Sequence, residues 1–158
     1  MLNVVLVEPE IPQNTGNIAR TCACTGARLH LVEPMGFRPT ERNLRRAGCD
    51  YWDQVDIAMW SCAGAFFDAW EAGELGEGAL HLFTGQASAS YADASYGDGD
   101  FLVFGRESRG LDRELIDRFA DRCRRIPMVS GTRSLNLANA VAIATYEALR
   151  QLHWPGMS

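Results

Sequence analysis

Six short, nearly uninterrupted apolar runs punctuate the chain, and between them the apolar positions switch to a helical spacing. The runs are Leu2–Val7, Leu29–Val32, Val55–Met59, Ala79–Thr84, Phe101–Phe104 and Arg125–Met128. A strand with one wet face alternates apolar and polar residues, whereas a near-continuous apolar strand is buried on both faces. Strands of that kind, alternating with helices, predict an α/β fold: a mostly parallel sheet with helices on both faces. Helical patterns open at Asn14-Thr15-Gly16-Asn17 and stop near Gly26. Others run from Thr40 through Arg46 to a stop at Gly48, from a Ser61 cap through Glu71, over Leu111–Phe119 with Asp112 among the first residues, and over Ser134–Leu152. Gly85–Gly99 is polar and reads as a loop.

The last helix limits the architecture further. Between Leu135 and Leu149 its only charged residue is Glu147, and a helix apolar nearly all round is buried on several faces. Two arrangements satisfy this: a central core helix, or a core helix that also meets a second copy of the chain. The small residues Ala138, Ala140, Ala142 and Ala144 permit close approach, and in a domain of this size the reading favours a homodimer. At 158 residues one domain, Met1–Ser158, is expected, large enough to bury a core without a disulfide or metal staple.

Composition excludes several classes of function. No apolar run is long enough to cross a membrane, and Leu2–Val7 is too short for the core of an export signal. The five cysteines lack CxxC spacing, which fits reduced thiols in a cytoplasmic protein. His30, His81 and His153 are scattered, so no metal site is expected and each histidine reads as structural. The net charge of −5 argues against a uniformly basic nucleic-acid binder, but the charge is unevenly spread. All fifteen basic residues are arginine, and Asp50–Asp100 holds ten of the twenty acids and no arginine. The remainder is therefore net positive, with arginines grouped at 38–46, 106–113 and 118–133, which suits a phosphate-bearing partner if the groups share a face. A merely solvated surface is the alternative.

Three polar, glycine-containing segments follow apolar runs, where open α/β sheets collect their ligands. Pro9–Arg20 (PEIPQNTGNIAR) is a proline-stiffened loop that enters a helix. Phe104–Leu111 (FGRESRGL) has the glycine spacing of a nucleotide P-loop without its lysine and hydroxyl, which excludes a nucleoside triphosphatase of that type. Gly105, placed directly after a strand, allows a flat ligand to approach closely. The stretch from Ile126-Pro127-Met128 to Asn139 runs through a polar loop into a helix start, a natural anion or cofactor seat. There is no GxGxxG, so a dinucleotide cofactor is not expected.

These segments, with LHLVEPMGF, LRRAGCDYW, RIPMVSGTRSLNLANAVAIATYEALRQL and the closing WPG, resemble the SPOUT superfamily of RNA methyltransferases over Met1 to about Gly156. Within it they are most similar to small tRNA 2′-O-methyltransferases that modify the wobble cytidine or uridine in the anticodon stem-loop. The resemblance implies a deep C-terminal trefoil knot, a homodimer, an RNA substrate rather than DNA, and S-adenosylmethionine as methyl donor with no metal. It implies donor contacts at Phe83, Thr84, Gly85, Gly105, Ile126, Met128, Ser134, Leu135 and Leu137. It also implies that Arg20 serves the reacting 2′-hydroxyl, with Asn14, Glu107, Ser134 and Asn136 fixing the ribose and Arg20. Arginine is a poor base, so stabilising the developing alkoxide is the chemically reasonable role for Arg20, with a phosphate oxygen or water taking the proton. Some relatives carry a lysine in the loop that here reads Gly85-Gln86-Ala87-Ser88. The competing readings are a 2′-O-methyltransferase of ribosomal RNA and a dimeric RNA-binding protein without turnover.

Overall fold

The computed structural model describes residues 1–38 and 52–158. Its elements follow one another as β1 (Asn3–Val7), α1 (Pro12–Thr25), β2 (Arg28–Val32), β3 (Ile57–Trp60), α2 (Ala63–Glu71), β4 (Leu80–Phe83), β5 (Phe101–Phe104), α3 (Arg113–Arg118), β6 (Cys123–Arg124) and α4 (Leu137–Gln151). The six strands form one sheet in the order β3-β2-β1-β5-β4-β6, and every pairing is parallel. The helix expected over Thr40–Arg46 lies outside the described residues, as do Cys49 and all of the first arginine group except Arg38.

The apolar strands β1, β2, β4 and β5 bury both faces, whereas the edge strand β3 is only half-buried, with Met59 exposed. Val4, Leu6, Leu29, Leu31, Leu102 and Phe104 pack on one side with Ile18 and Cys22 of α1 and Val141, Ala144 and Ala148 of α4. Val5, Val7, Leu80, Leu82, Phe101 and Val103 pack on the other with Phe66 and Phe67 of α2 and Ile116 of α3. The polar residues inside the strands are tied down. The buried His30 accepts at Nδ1 from the Trp60 indole N–H (3.1 Å) and donates from Nε2 to Asn3 Oδ1 (3.1 Å). The ring lies among Trp60, Phe66 and Phe101. Burial, reinforced by the positive charge of Arg28, lowers its pKa to about 4. His30 is thus a neutral core residue. In the unfolded chain it titrates at about 6.5, so the unfolded state binds the extra proton between pH 6.5 and 4. The stability His30 contributes is fully present above pH 6.5 and is lost as pH falls through that window, by an amount on the order of 3 kcal/mol. Urea unfolding at stepped pH is expected to show this loss, and His30→Gln to flatten it.

Several boundaries differ from those expected, each for a local reason. Helix α1 starts at Pro12 rather than Asn14, because proline suits the first helical position, where no N–H is needed. Helix α2 is capped by Cys62, whose Sγ accepts from Ala65 N–H (3.4 Å), and not by Ser61. Asp112 precedes α3 as its cap residue. The sixth strand is Cys123–Arg124 instead of Arg125–Met128. Arg125 makes only an isolated bridge to Ser90, and Pro127 lacks the N–H needed to continue the ladder. Helix α4 begins at Leu137 instead of Ser134, since the extended Asn136 accepts at Oδ1 from Ala138 N–H (2.9 Å) and caps it there. The polar segment before it is therefore free to line a site.

Candidate active site

A cavity of about 760 Å³ opens beyond the carboxyl ends of β1, β5, β4 and β6, within the range typical of small-molecule sites. Four chain segments build it. Phe83 ends β4 and Thr84, Gly85 and Gln86 follow it, while Phe104 ends β5 and Gly105 to Gly110 follow it. Arg125, Ile126, Met128 and residues 133–137 run from β6 into α4, and Ile11 and Asn14 come from the start of α1. All nine residues expected at the donor line this cavity: Phe83, Thr84, Gly85, Gly105, Ile126, Met128, Ser134, Leu135 and Leu137. Asn14, Glu107, Ser134 and Asn136 line it as well. Arg20 does not; it stands exposed on α1. Six residues beyond Asn14 the helix has turned about 120° away and risen about 9 Å.

Phe83 and Phe104 stack with centroids 4.7 Å apart and planes 12° from parallel, giving the cavity an aromatic wall. Gly85 borders open space, with nothing within 4 Å of where a Cβ would stand. Gly105 is more tightly constrained. A Cβ there would collide with the backbone of Gly110 and Leu111, so this glycine, which also lines the cavity, is required by the chain's own turn whatever approaches it.

The polar residues form a connected frame. Asn136, having capped α4, donates from Nδ2 to Asn14 Oδ1 (2.9 Å), and Asn14 Nδ2 donates to Glu107 Oε1 (3.1 Å). Glu107 also accepts from the backbone N–H groups of Glu10 (2.8 Å) and Ile11 (3.1 Å). It thereby fixes the two residues that lead into α1, whose cap residue Ile11 has no side-chain acceptor of its own. In return Glu10 accepts from Ser108 N–H and Oγ–H, both at 2.9 Å. The Ser108 backbone bond, then its hydroxyl, holds the Glu10 carboxyl below the usual range. Beneath this clasp the buried Arg106 pairs with Glu8 (3.2 Å) and Asp112 (2.6 Å). Asn14, Glu107 and Asn136 therefore join three loops in one rigid arrangement. The reciprocal clasp of Glu10 with Ser108 was not anticipated from the sequence; the legible signal was only the proline-flanked glutamate. Among the described residues, no group of three or more His, Cys, Asp and Glu side chains is placed to hold a metal ion.

The SpoU rRNA Methylase family model matches residues 1–146. The chain is 48% identical to the tRNA (cytidine(34)-2'-O)-methyltransferase of Escherichia coli strain K12, over 99% of this chain and 97% of that protein. A solved structure described as giving insights into the 2-OH methylation of C/U34 on tRNA superposes with a TM-score of 0.88 at 46% identity, covering 97% of each chain. An AdoMet-bound rRNA methyltransferase from Sinorhizobium meliloti superposes with a TM-score of 0.81 at 28% identity, covering 96% of this chain and 56% of that one. A family match over residues 1–146, on a parallel sheet whose strand ends carry that family's motifs around one cavity, means that this chain belongs to the SpoU rRNA methylase family.

Proposed function

We propose that the chain transfers a methyl group from S-adenosylmethionine to the ribose 2′-hydroxyl of the wobble nucleotide, cytidine or uridine 34, in the tRNA anticodon loop. One observation carries the reading. Residues of three separated motifs line a single cavity in a chain whose relatives, matched over nearly its whole length, are named for this reaction. The cavity suits the donor. The Phe83–Phe104 stack offers a surface for a flat base, and the space at Gly85 admits a ligand where any side chain would intrude. Thr84, Ile126, Met128, Ser134, Leu135 and Leu137 complete the walls. When bound there, S-adenosylmethionine supplies an electrophilic methyl group on a sulfonium.

The protein's part is positioning and charge. The Asn136–Asn14–Glu107 frame fixes the loops on which the ribose rests, and holding the hydroxyl in line supplies much of the barrier reduction. Arg20 stabilises the negative charge that develops on the 2′-oxygen as its proton leaves to a phosphate oxygen or water. Because Arg20 does not line the cavity of its own chain, this role calls for a homodimer in which α1 of one copy meets the cavity of the other. The exposed stripe Gln13, Asn17, Arg20 and Cys24 on α1, together with exposed Ile143 and Tyr146 on α4, supports such a contact. The last helix sends Val141, Ala144 and Ala148 into its own core, so exposed Ile143 and Tyr146, with half-buried Ala142, are left for a second copy. Tyr146→Arg is expected to shift sedimentation to a monomer and abolish transfer, and a fully active monomer would contradict the dimer.

The family reading extends to one domain over residues 1–158 with its C-terminal part threaded as a deep trefoil knot. The return of the 125–137 segment to the cavity beside the 105–110 turn supports it. It also implies an RNA rather than a DNA substrate, no metal and a cytoplasmic setting. No helix among the described residues is long and apolar enough to cross a membrane. Labelled donor incubated with purified tRNA and with ribosomal RNA tests the proposal: transfer to tRNA is expected, and transfer to ribosomal RNA alone would overturn it.

A further inference from the structure

Resting on the RNA methyltransferase reading above, we propose that Arg109, Arg125 and Arg133 form a phosphate seat on the cavity rim that grips the RNA backbone beside the nucleotide being modified. Along the sequence these arginines belong to two broad basic groups, but the fold sorts those groups differently. Arg106 is buried and neutralised by Glu8 and Asp112. Arg113 pairs with Asp117 and Arg118 with Glu71. Arg122 lies over the Trp70 ring, and Arg124 donates to the carbonyls of Asp121 and Cys123. Each of these charges or donors is engaged by the protein itself.

Among the described residues, Arg109, Arg125 and Arg133 make no such side-chain hydrogen bond or ion pair. They are the exposed arginines that line the cavity, and they reach it from three different segments: the turn after β5, the end of β6 and the loop before α4. Three exposed guanidinium groups converging on one opening, in a chain of net charge −5, make a local anion site in an otherwise acidic molecule. Among the described residues, only Arg109 of the three has a carboxylate, Glu10, close enough for its charge to help hold that carboxylate ionised. Guanidinium suits phosphate because its planar fork meets two oxygens at once. The turn that carries Arg109 is held by the Glu10–Ser108 clasp, so that residue is presented from a fixed support. Two anions could meet such a seat near this cavity: the phosphodiesters of the substrate RNA and the carboxylate of the methyl donor. The exposed rim position of all three favours the RNA, whose backbone stays outside while a nucleotide enters.

The experiment measures binding of an anticodon stem-loop RNA across a salt series and binding of S-adenosylmethionine by calorimetry. It uses the full-length protein and its Arg109→Ala, Arg125→Ala, Arg133→Ala and triple variants, with Arg118→Ala as a control. The side chains are exposed, so the variants should keep the wild-type melting temperature. Each phosphate contact removed should weaken RNA binding and lower the slope of log affinity against log salt by about one. Donor affinity should be unchanged, and Arg118→Ala should behave as wild type. An unchanged salt slope in the triple variant, or an equal fall in Arg118→Ala, would overturn the seat. Loss of donor affinity with RNA binding intact would assign the three arginines to the donor carboxylate and overturn it as well. Methyl transfer by the wild-type protein separates the two ideas: if tRNA is methylated and the slope does not move, only the phosphate seat fails.

Discussion

Arg20→Ala is expected to slow methyl transfer by about 10²–10³-fold, the usual cost of losing one preorganised electrostatic donor at a developing oxyanion. Donor affinity should stay at the wild-type level, because Arg20 is assigned to the reacting ribose oxygen, whereas the donor is held by the residues that line the cavity. Arg20→Lys should recover little, since a point charge does not reproduce the planar fork. The side chain is exposed on α1, so its removal should leave the melting temperature nearly unchanged; surface substitutions typically move stability by less than about 0.5 kcal/mol. Single-turnover transfer to tRNA at saturating donor is the deciding measurement, and a variant within a few-fold of wild type would leave Arg20 with no catalytic role. Mixed dimers add a sharper test. Combining one Arg20→Ala chain with one chain whose cavity is blocked should retain one working site if Arg20 serves the other copy's cavity, and none if it serves its own.

Gly85→Leu supplies that blocked cavity. Nothing stands within 4 Å of a Cβ at Gly85, so the backbone accepts the side chain, which then occupies space the donor needs. Overpacking a fitted site costs roughly 1–3 kcal/mol, which corresponds to about 5–150-fold weaker donor binding. The protein should melt at the wild-type temperature, and calorimetry that shows unchanged donor affinity would remove Gly85 from the site. Gly105→Val is not an equivalent probe. Its Cβ would strike the Gly110–Leu111 backbone, so it is expected to disrupt the turn that carries Glu107 and lower stability before any question of donor binding arises.

The contrast between these two glycines shows what could be read from the sequence. Both follow an apolar strand, and local pattern marks both as places of close approach. Which neighbour does the approaching is a tertiary fact: open space at Gly85, the chain's own backbone at Gly105. The parallel sheet was legible because strands such as Leu80–Phe83 and Phe101–Phe104 are buried on both faces and must be apolar throughout. The end of the sixth strand was not, because Ile126-Pro127-Met128 has a strand's composition while Pro127 cannot donate to a ladder. Asn14, Glu107 and Asn136 could be picked out as polar residues at strand ends and from the resemblance. Their bonding to one another spans more than ninety residues of sequence, and no local pattern encodes it. The arginine groups were visible as runs, but their division into paired and unpaired charges depends on partners such as Glu8 and Glu71, which lie far away along the chain.

Unmodified tRNA incubated with the protein and S-adenosylmethionine, then digested and mapped by mass spectrometry, should carry one added methyl group on the ribose of cytidine or uridine 34, with neighbouring nucleotides unchanged. A methyl group on a base, on a ribose elsewhere in the tRNA, or no methyl group at all would contradict the account.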